Sequence, residues 1–209
     1  MIANYAAKLN MAKMPAYYQI FVLDTKHEGD FDGLGKKYSD LQLLGKDQTS
    51  RVIIFEPDER WDDPAGYECF LRLIWDRWML PTGKTEKRRV PSVTVIDELG
   101  SLEISRSNKS FISKDKRHVW SDMMKRGRAS NNVLWNSTQN PVNVPEDFLR
   151  NASAYFAFRL NLQDDREKMA EFMGDQIKRD IPDIHGFWYK NIVMPEPIYV
   201  PKLKLPQNF

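Results

Sequence analysis

The sequence predicts an α/β protein built on a mostly parallel sheet. Strand-sized apolar runs alternate with helical patterns along the chain, the order expected when helices cross between parallel strands. Three of those runs end in polar residues, as buried strands do at the ligand-binding rim of such sheets. The 209 residues suffice for one substantial core, or for one domain with an appendage.

Residues 2–13, "IANYAAKLNMAK", are Ala-rich and predict a helix that starts at or just before the first residue. "YQIFVLD" (18–24) is a short apolar run ending at Asp24 and predicts the first strand. A Gly- and Asp-containing loop, "HEGDFDGLGKK", follows, and "RVIIF" (51–55) is the second strand. "DDPAGYECFLRLIWDRWML" is the clearest helix: Asp63 suits the cap and Pro64 the first turn. Tyr67, Phe70, Leu71, Ile74, Trp75 and Trp78 recur at three- and four-residue steps and form one apolar face fit to pack on a sheet. The charges of Glu68, Arg72, Asp76 and Arg77 balance, which disfavours a membrane-surface role.

"SVTVID" (92–97) is the third strand, and a long polar segment leads to a helix near 118–127 with Val119, Trp120, Met123 and Met124 on one side. "NVLWNSTQ" (132–139) is the fourth strand and "PEDFLRNA" a short helix. "AYFAFRL" is read as a fifth strand of the same sheet, and residues 164–174 as a helix closing at Gly174. "GFWYK" and "PIYV" predict a hairpin or extended arm, followed by a poorly ordered tail. The expected division is a domain over 1–185 and an aromatic arm over 186–209.

Composition bounds the class. The apolar fraction of 42% and charged fraction of 29% are those of a globular protein. The single Cys69 excludes an intrachain disulfide and a cysteine zinc site, fits a reducing cytoplasm, and reads as a structural thiol inside a helix. No apolar run approaches the ~18 residues that a membrane span needs. The net charge of +2 hides a local bias: residues 106–128 carry eight Lys or Arg against Asp115 and Asp122. That stretch fits either a phosphate-backbone partner or a solvated face.

The polar strand ends are Asp24 with Lys26, Asp97 with Glu98, and Thr138 with Gln139. If the strands are neighbours, these groups converge on one rim. Asp97 could then hold a magnesium ion through water, Glu98 could polarise a water for attack on phosphorus, and Gln139 could orient it.

Two stretches, "VTVIDELGSL" and "MKRGRASNNVLWNSTQNPVNVPEDFLRNASAYFAFRLNLQDDREK", resemble the second half of the HerA–FtsK group of P-loop ATPases, which includes DNA translocases, conjugation ATPases and viral DNA-packaging motors. The resemblance runs from about residue 18 to about residue 190; the "DTK" at 24–26 and Asn151 belong to it. It implies a RecA-like P-loop sheet with helices on both faces. It implies ATP and Mg2+ as ligands, a homo-oligomeric ring, and double-stranded DNA as partner. By resemblance Asp97 is the magnesium-associated Walker B acid, Glu98 the water-activating glutamate and Gln139 the sensor, with Thr138 beside the nucleotide. Arg128 resembles the arginine that reaches the neighbouring subunit's nucleotide; the plain alternative is a helix-end cation. Arg150 is the reserve candidate, and Asn151 could equally be a helix stop.

The group's phosphate loop, GxxxxGK[ST], does not occur here. "TGKT" (82–85) has Trp78 where the first glycine belongs, and leads towards a strand rather than into a helix start. "MIANYAAKLN" resembles the helix that follows the loop. The chain therefore resembles an ATPase domain without its first strand and phosphate loop. A truncated or wrongly started reading frame is the preferred explanation, ahead of a partner chain carrying the piece or a non-hydrolysing relative. A gap or a closed-up sheet is expected between the Walker B-like and fifth strands. The functional expectation is an ATP-hydrolysing DNA translocase or viral packaging motor. A non-hydrolysing DNA-binding or assembly subunit, and a conjugation or secretion ATPase, are the alternatives.

Overall fold

The structure is a computed structural model that describes residues 18–47, 49–76, 91–102, 118–126 and 131–201. The chain divides into two compact units, Met1–Gln139 and Asn140–Phe209.

The first unit holds a five-stranded sheet of β1 (Gln19–Leu23), β2 (Lys36–Tyr38), β3 (Val52–Phe55), β4 (Ser92–Ile96) and β5 (Asn132–Asn136). The strand order is β2-β3-β1-β4-β5 and every pairing is parallel. Ile20, Phe21, Val22 and Leu23 of β1 have no exposed surface. Because successive strand residues face opposite sides, β1 is covered on both faces, as a central parallel strand requires. On one face Ile20, Val22, Ile54, Val93 and Val95 form a cluster with Phe31. On the other, Phe70 of α2 (Pro64–Ile74) stacks on Phe55 with ring centres 5.0 Å apart. Between β4 and β5, Asn132 Nδ2 donates to Ser92 Oγ and Thr94 Oγ1, each at 3.0 Å.

Helix α2 begins as its sequence implies. The Asp63 carboxylate accepts the Gly66 N–H at 2.6 Å, and Pro64 occupies the first turn. Tyr67, Phe70, Leu71, Ile74 and Trp75 are buried. Trp78 lies outside the described residues. Glu68 is 3% exposed, and its Oε2 lies 2.7 Å from Nδ1 of the similarly buried His118. This pair ties α2 to the start of α3 (Val119–Arg126), whose Val119, Trp120 and Met123 are buried. Burial raises the Cys69 thiol pKa, the reverse of an activated nucleophile.

Two expectations are corrected. The loop read at 27–37 ends in β2, a strand preceding the short helix α1 (Leu41–Leu44). Its three residues, Lys-Lys-Tyr, have the charge typical of a sheet edge and no apolar run to announce a strand. The segment read as a fifth parallel strand is instead β6 (Ala154–Ala157), which pairs antiparallel with β7 (Phe187–Asn191) in a separate sheet completed by β8 (Ile198–Val200). There is no gap at β4, which is paired along its length to β1 on one side and β5 on the other.

The second unit contains this sheet, α4 (Glu146–Asn151) and α5 (Gln163–Met173). The expected tail hairpin is the β7–β8 pair. Phe156 lies 5.0 Å from Tyr189, and Phe158 5.2 Å from Phe187, ring centre to ring centre. Helix α5 ends at Gly174, whose φ of 107° suits glycine alone. The "DDRE" residues act structurally here: buried Asp165 accepts the Val142 N–H at 3.2 Å, and Arg166 Nε donates to the Leu160 carbonyl at 2.8 Å. No helix among the described residues is long and apolar enough to cross a membrane.

Two substitutions test this packing by urea unfolding. A Cβ on Gly66 would lie 2.1 Å from the Trp61 carbonyl oxygen, so Gly66→Ala is expected to lower stability by about 2 kcal/mol. Glu68→Ala strands a buried imidazole nitrogen and is expected to cost about 2 kcal/mol. A midpoint unchanged in either variant would contradict the corresponding contact.

Candidate functional site

The parallel register sets the site. Leu23, Ile96 and Asn136 lie side by side on β1, β4 and β5. The backbone ladder continues one residue further. Asp24 N–H donates to Phe55 O at 2.9 Å, Asp97 N–H to Leu23 O at 3.1 Å, and Ser137 N–H to Ile96 O at 3.0 Å. Asp24, Asp97 and Ser137 are thus held level at the carboxyl rim, with Glu98, Thr138 and Gln139 just beyond.

Asp97 is 5% exposed. Lys26 Nζ lies 3.5 Å from its Oδ2, and Ser137 Oγ donates to its Oδ1 at 3.5 Å. Burial raises the Asp97 carboxyl above the usual range, while the Lys26 charge pulls it back. Asp24 is 1% exposed, and its Oδ1 accepts the N–H groups of Lys26 and His27 at 3.3 Å each. Burial raises its carboxyl too, and the negative charge of Asp97 adds to the effect. His27 completes the turn at φ 55°, with Glu56 Oε1 and Asp62 Oδ1 3.7 and 3.6 Å from its ring nitrogens.

The donor set fits a cation. Asp24 Oδ2 and Asp97 Oδ2 are buried without a hydrogen-bond partner among the described residues. Two desolvated carboxylates are costly unless positive charge lies beside them. No cluster of three or more His, Cys, Asp or Glu spaced for a metal occurs among the described residues. A hard cation that keeps most of its waters, as magnesium does, suits so few protein ligands.

Glu98 is half-buried and held from two sides. Its Oε2 accepts the Gln139 backbone N–H at 3.1 Å and its Oε1 accepts the Gly100 N–H at 3.0 Å. A Cβ at Gly100 would sit 3.1 Å from Oε1, so the absent side chain lets this amide approach. An oriented carboxylate beside a buried acid can accept a proton from water while the acid anchors a metal.

The sequence candidates thus fall into groups. Asp97, Glu98 and Gln139 are brought together, with Thr138 half-buried between Ser137 and Gln139. Gln139 meets Glu98 through its backbone, not through its amide side chain. Arg128 and "TGKT" lie outside the described residues. Arg150 is exposed and paired with Glu146 four residues earlier in α4. Asn151 Nδ2 donates to Asp147 O at 2.7 Å at the end of α4, a helix-stop bond. The sequence reading did not find Ser137, Gly100 or the reach of Lys26 to Asp97. Ser137 directly follows β5, level with Asp97, a placement that depends on strand register and not on any local pattern.

The buried acids make a pH prediction. A carboxyl whose folded pKa is raised destabilises the fold above that value, and the cost vanishes as the pH falls through it towards the ordinary value near 3.8. Asp24→Asn keeps the Oδ1 acceptor and removes the charge. In metal-free buffer it is expected to raise Tm by several degrees at pH 7, with the gain lost towards pH 3.5. A gain independent of pH would show that charge burial is not the cause.

No protein-family profile and no curated protein matches the chain by sequence. Solved structures do match it. The genome packaging NTPase B204 of Sulfolobus turreted icosahedral virus 2, solved with AMP, superposes with a TM-score of 0.67 at 12% identity, over 97% of this chain and 90% of that one. The pCW3 conjugation coupling protein TcpA gives 0.55 at 13% identity, over 94% of this chain and 55% of that one. The Type VII secretion ATPase EccC of Thermomonospora curvata gives 0.57 at 13% identity, over 95% of this chain and 23% of its cytoplasmic domain. The chain therefore shares the α/β fold of these solved ATPase structures, with a parallel central sheet and a small antiparallel sheet towards its C-terminus.

Proposed function

We propose that this chain is the nucleotide-hydrolysing part of a ring-forming motor that moves double-stranded DNA, with viral genome packaging as the process. One observation carries the reading. Neighbouring parallel strands bring a buried acid, an oriented glutamate and the Gln139 amide to one rim, with Gln139 N–H 3.1 Å from Glu98. The fold shared with a genome packaging NTPase supports the process.

In this reading Asp97 would hold magnesium, with Ser137 donating to its Oδ1. Magnesium, when bound, supplies charge neutralisation at the phosphates. Glu98 takes the proton of the attacking water; the amides of Gly100 and Gln139 keep its carboxylate aimed. The Gln139 side chain orients the same water, and Thr138 lines the nucleotide beside it. Arg128 stabilises the transferred phosphoryl group from the next subunit, which couples hydrolysis around a ring. The basic stretch over 106–128 contacts DNA phosphates or the adjacent subunit.

The second reading is a DNA-binding or assembly subunit that hydrolyses nothing. Glu98→Gln separates the two in the full gene product. A motor subunit is expected to lose ATP turnover by about 100-fold or more while retaining nucleotide binding. Wild-type protein without DNA-stimulated turnover, or Glu98→Gln with turnover intact, would overturn the motor reading. Arg128→Ala is expected to abolish turnover in pure assemblies but to be rescued in part on mixing with Glu98→Gln subunits, because the arginine acts on its neighbour's nucleotide. Absence of rescue would place Arg128 in its own subunit's site or outside the chemistry.

A further inference from the structure

The loop after β1 reaches the acid at the end of β4 with a cation of its own. Asp24 accepts the backbone N–H of Lys26 at 3.3 Å, while the ammonium of the same residue lies 3.5 Å from Asp97 Oδ2. Thr25 Oγ1 donates to Ser101 Oγ at 3.2 Å and fastens the loop to the segment after β4. The Lys26 backbone is therefore pinned to Asp24, while its flexible four-carbon stem carries the charge to Asp97.

The ion pair is not built as a permanent one. The Lys26 side chain is 24% exposed, whereas that of Asp97 is 5% exposed, so the ammonium has a route to water that the carboxylate lacks. Asp97 Oδ2 has no aligned hydrogen bond, and Asp24 Oδ2 has no partner at all among the described residues. Among the described residues, Lys26 is the one cationic side chain within ion-pair distance of these two buried carboxylates. A divalent cation would cancel both charges.

We propose that Lys26 is a displaceable internal counter-ion: its ammonium holds the cation position beside Asp97, with Asp24 as the neighbouring buried acid, and a divalent cation competes with it there. Asp24 becomes the second carboxylate of that position, a role given by its orphaned buried oxygen. The inference rests on the proposed function for the identity of the cation as magnesium; the competition itself does not require hydrolysis.

The test uses Mn2+ as the probe, with free ion read by electron paramagnetic resonance on the full chain without nucleotide. Lys26→Met removes the competitor and is expected to tighten Mn2+ binding by about tenfold at low salt. Lys26→Arg keeps the charge and is expected to bind like wild type. Asp97→Asn and Asp24→Asn are each expected to weaken Mn2+ binding by at least about tenfold in the Lys26→Met background. Should Lys26→Met fail to fold by circular dichroism, Lys26→Gln reads the same competition. Unchanged or weaker Mn2+ binding on removing the ammonium would overturn the proposal, as would Mn2+ binding indifferent to both aspartates. ATP turnover is assayed separately. Tighter Mn2+ binding in a protein without turnover keeps the counter-ion and rejects the motor, whereas turnover with no competition does the reverse.

Discussion

The parallel hydrogen-bond ladder that joins β1, β4 and β5 is the constraint on which the site depends. It fixes Leu23, Ile96 and Asn136 in one row and continues through the amides of Asp97 and Ser137. Side chains attached one residue beyond a rigid row have little freedom in position. The chemistry at the rim is therefore built on backbone geometry, to which the loops add Lys26, Gly100 and Gln139 among the described residues. A register slip of one residue between β4 and β5 would turn Asp97 away from Ser137 and break the amide contact from Gln139 to Glu98.

That rigidity comes at an electrostatic cost. The core that buries β1 on both faces also desolvates Asp24 and Asp97, and both carboxyls are raised for that reason first. A fold selected for stability alone would place amides or apolar residues there. Two acids kept in such a setting call for positive charge beside them, and Lys26 supplies it at Asp97. Glu98 contrasts with them. It is half-buried, and amide donors fix it, so it is oriented without being deprived of solvent. The difference between a metal-anchoring acid and a proton-accepting one thus reduces to burial and donors at adjacent residues.

Much of this was legible in the sequence, and the exceptions have physical reasons. Helix α2 followed from Asp63, Pro64 and the repeat of Tyr67, Phe70, Leu71 and Ile74, because caps and periodicity are local properties. β1 and β3 announced themselves through continuous apolar runs, and β4 through Val93, Val95 and Ile96 around Thr94. β2 did not, since an edge strand of Lys-Lys-Tyr buries almost nothing. Glu68 looked like one charge among balanced neighbours; its pairing with His118, fifty residues away, cannot be read from the local sequence. The segment containing β6 misled for the same reason: an apolar, aromatic strand offers itself to any sheet, and its own residues do not name its neighbour.

By itself the sequence determined the class of fold, the strand-end acids and the residues that cap and face the main helix, because each rests on spacing within a few residues. The three-dimensional arrangement alone decided that β1, β4 and β5 are consecutive neighbours and that β6 pairs with β7 in the antiparallel sheet. It also decided that Lys26 faces Asp97 and that Gln139 meets Glu98 through its amide. Strand order and register are set by which apolar faces close together over long separations, and no local pattern encodes that choice.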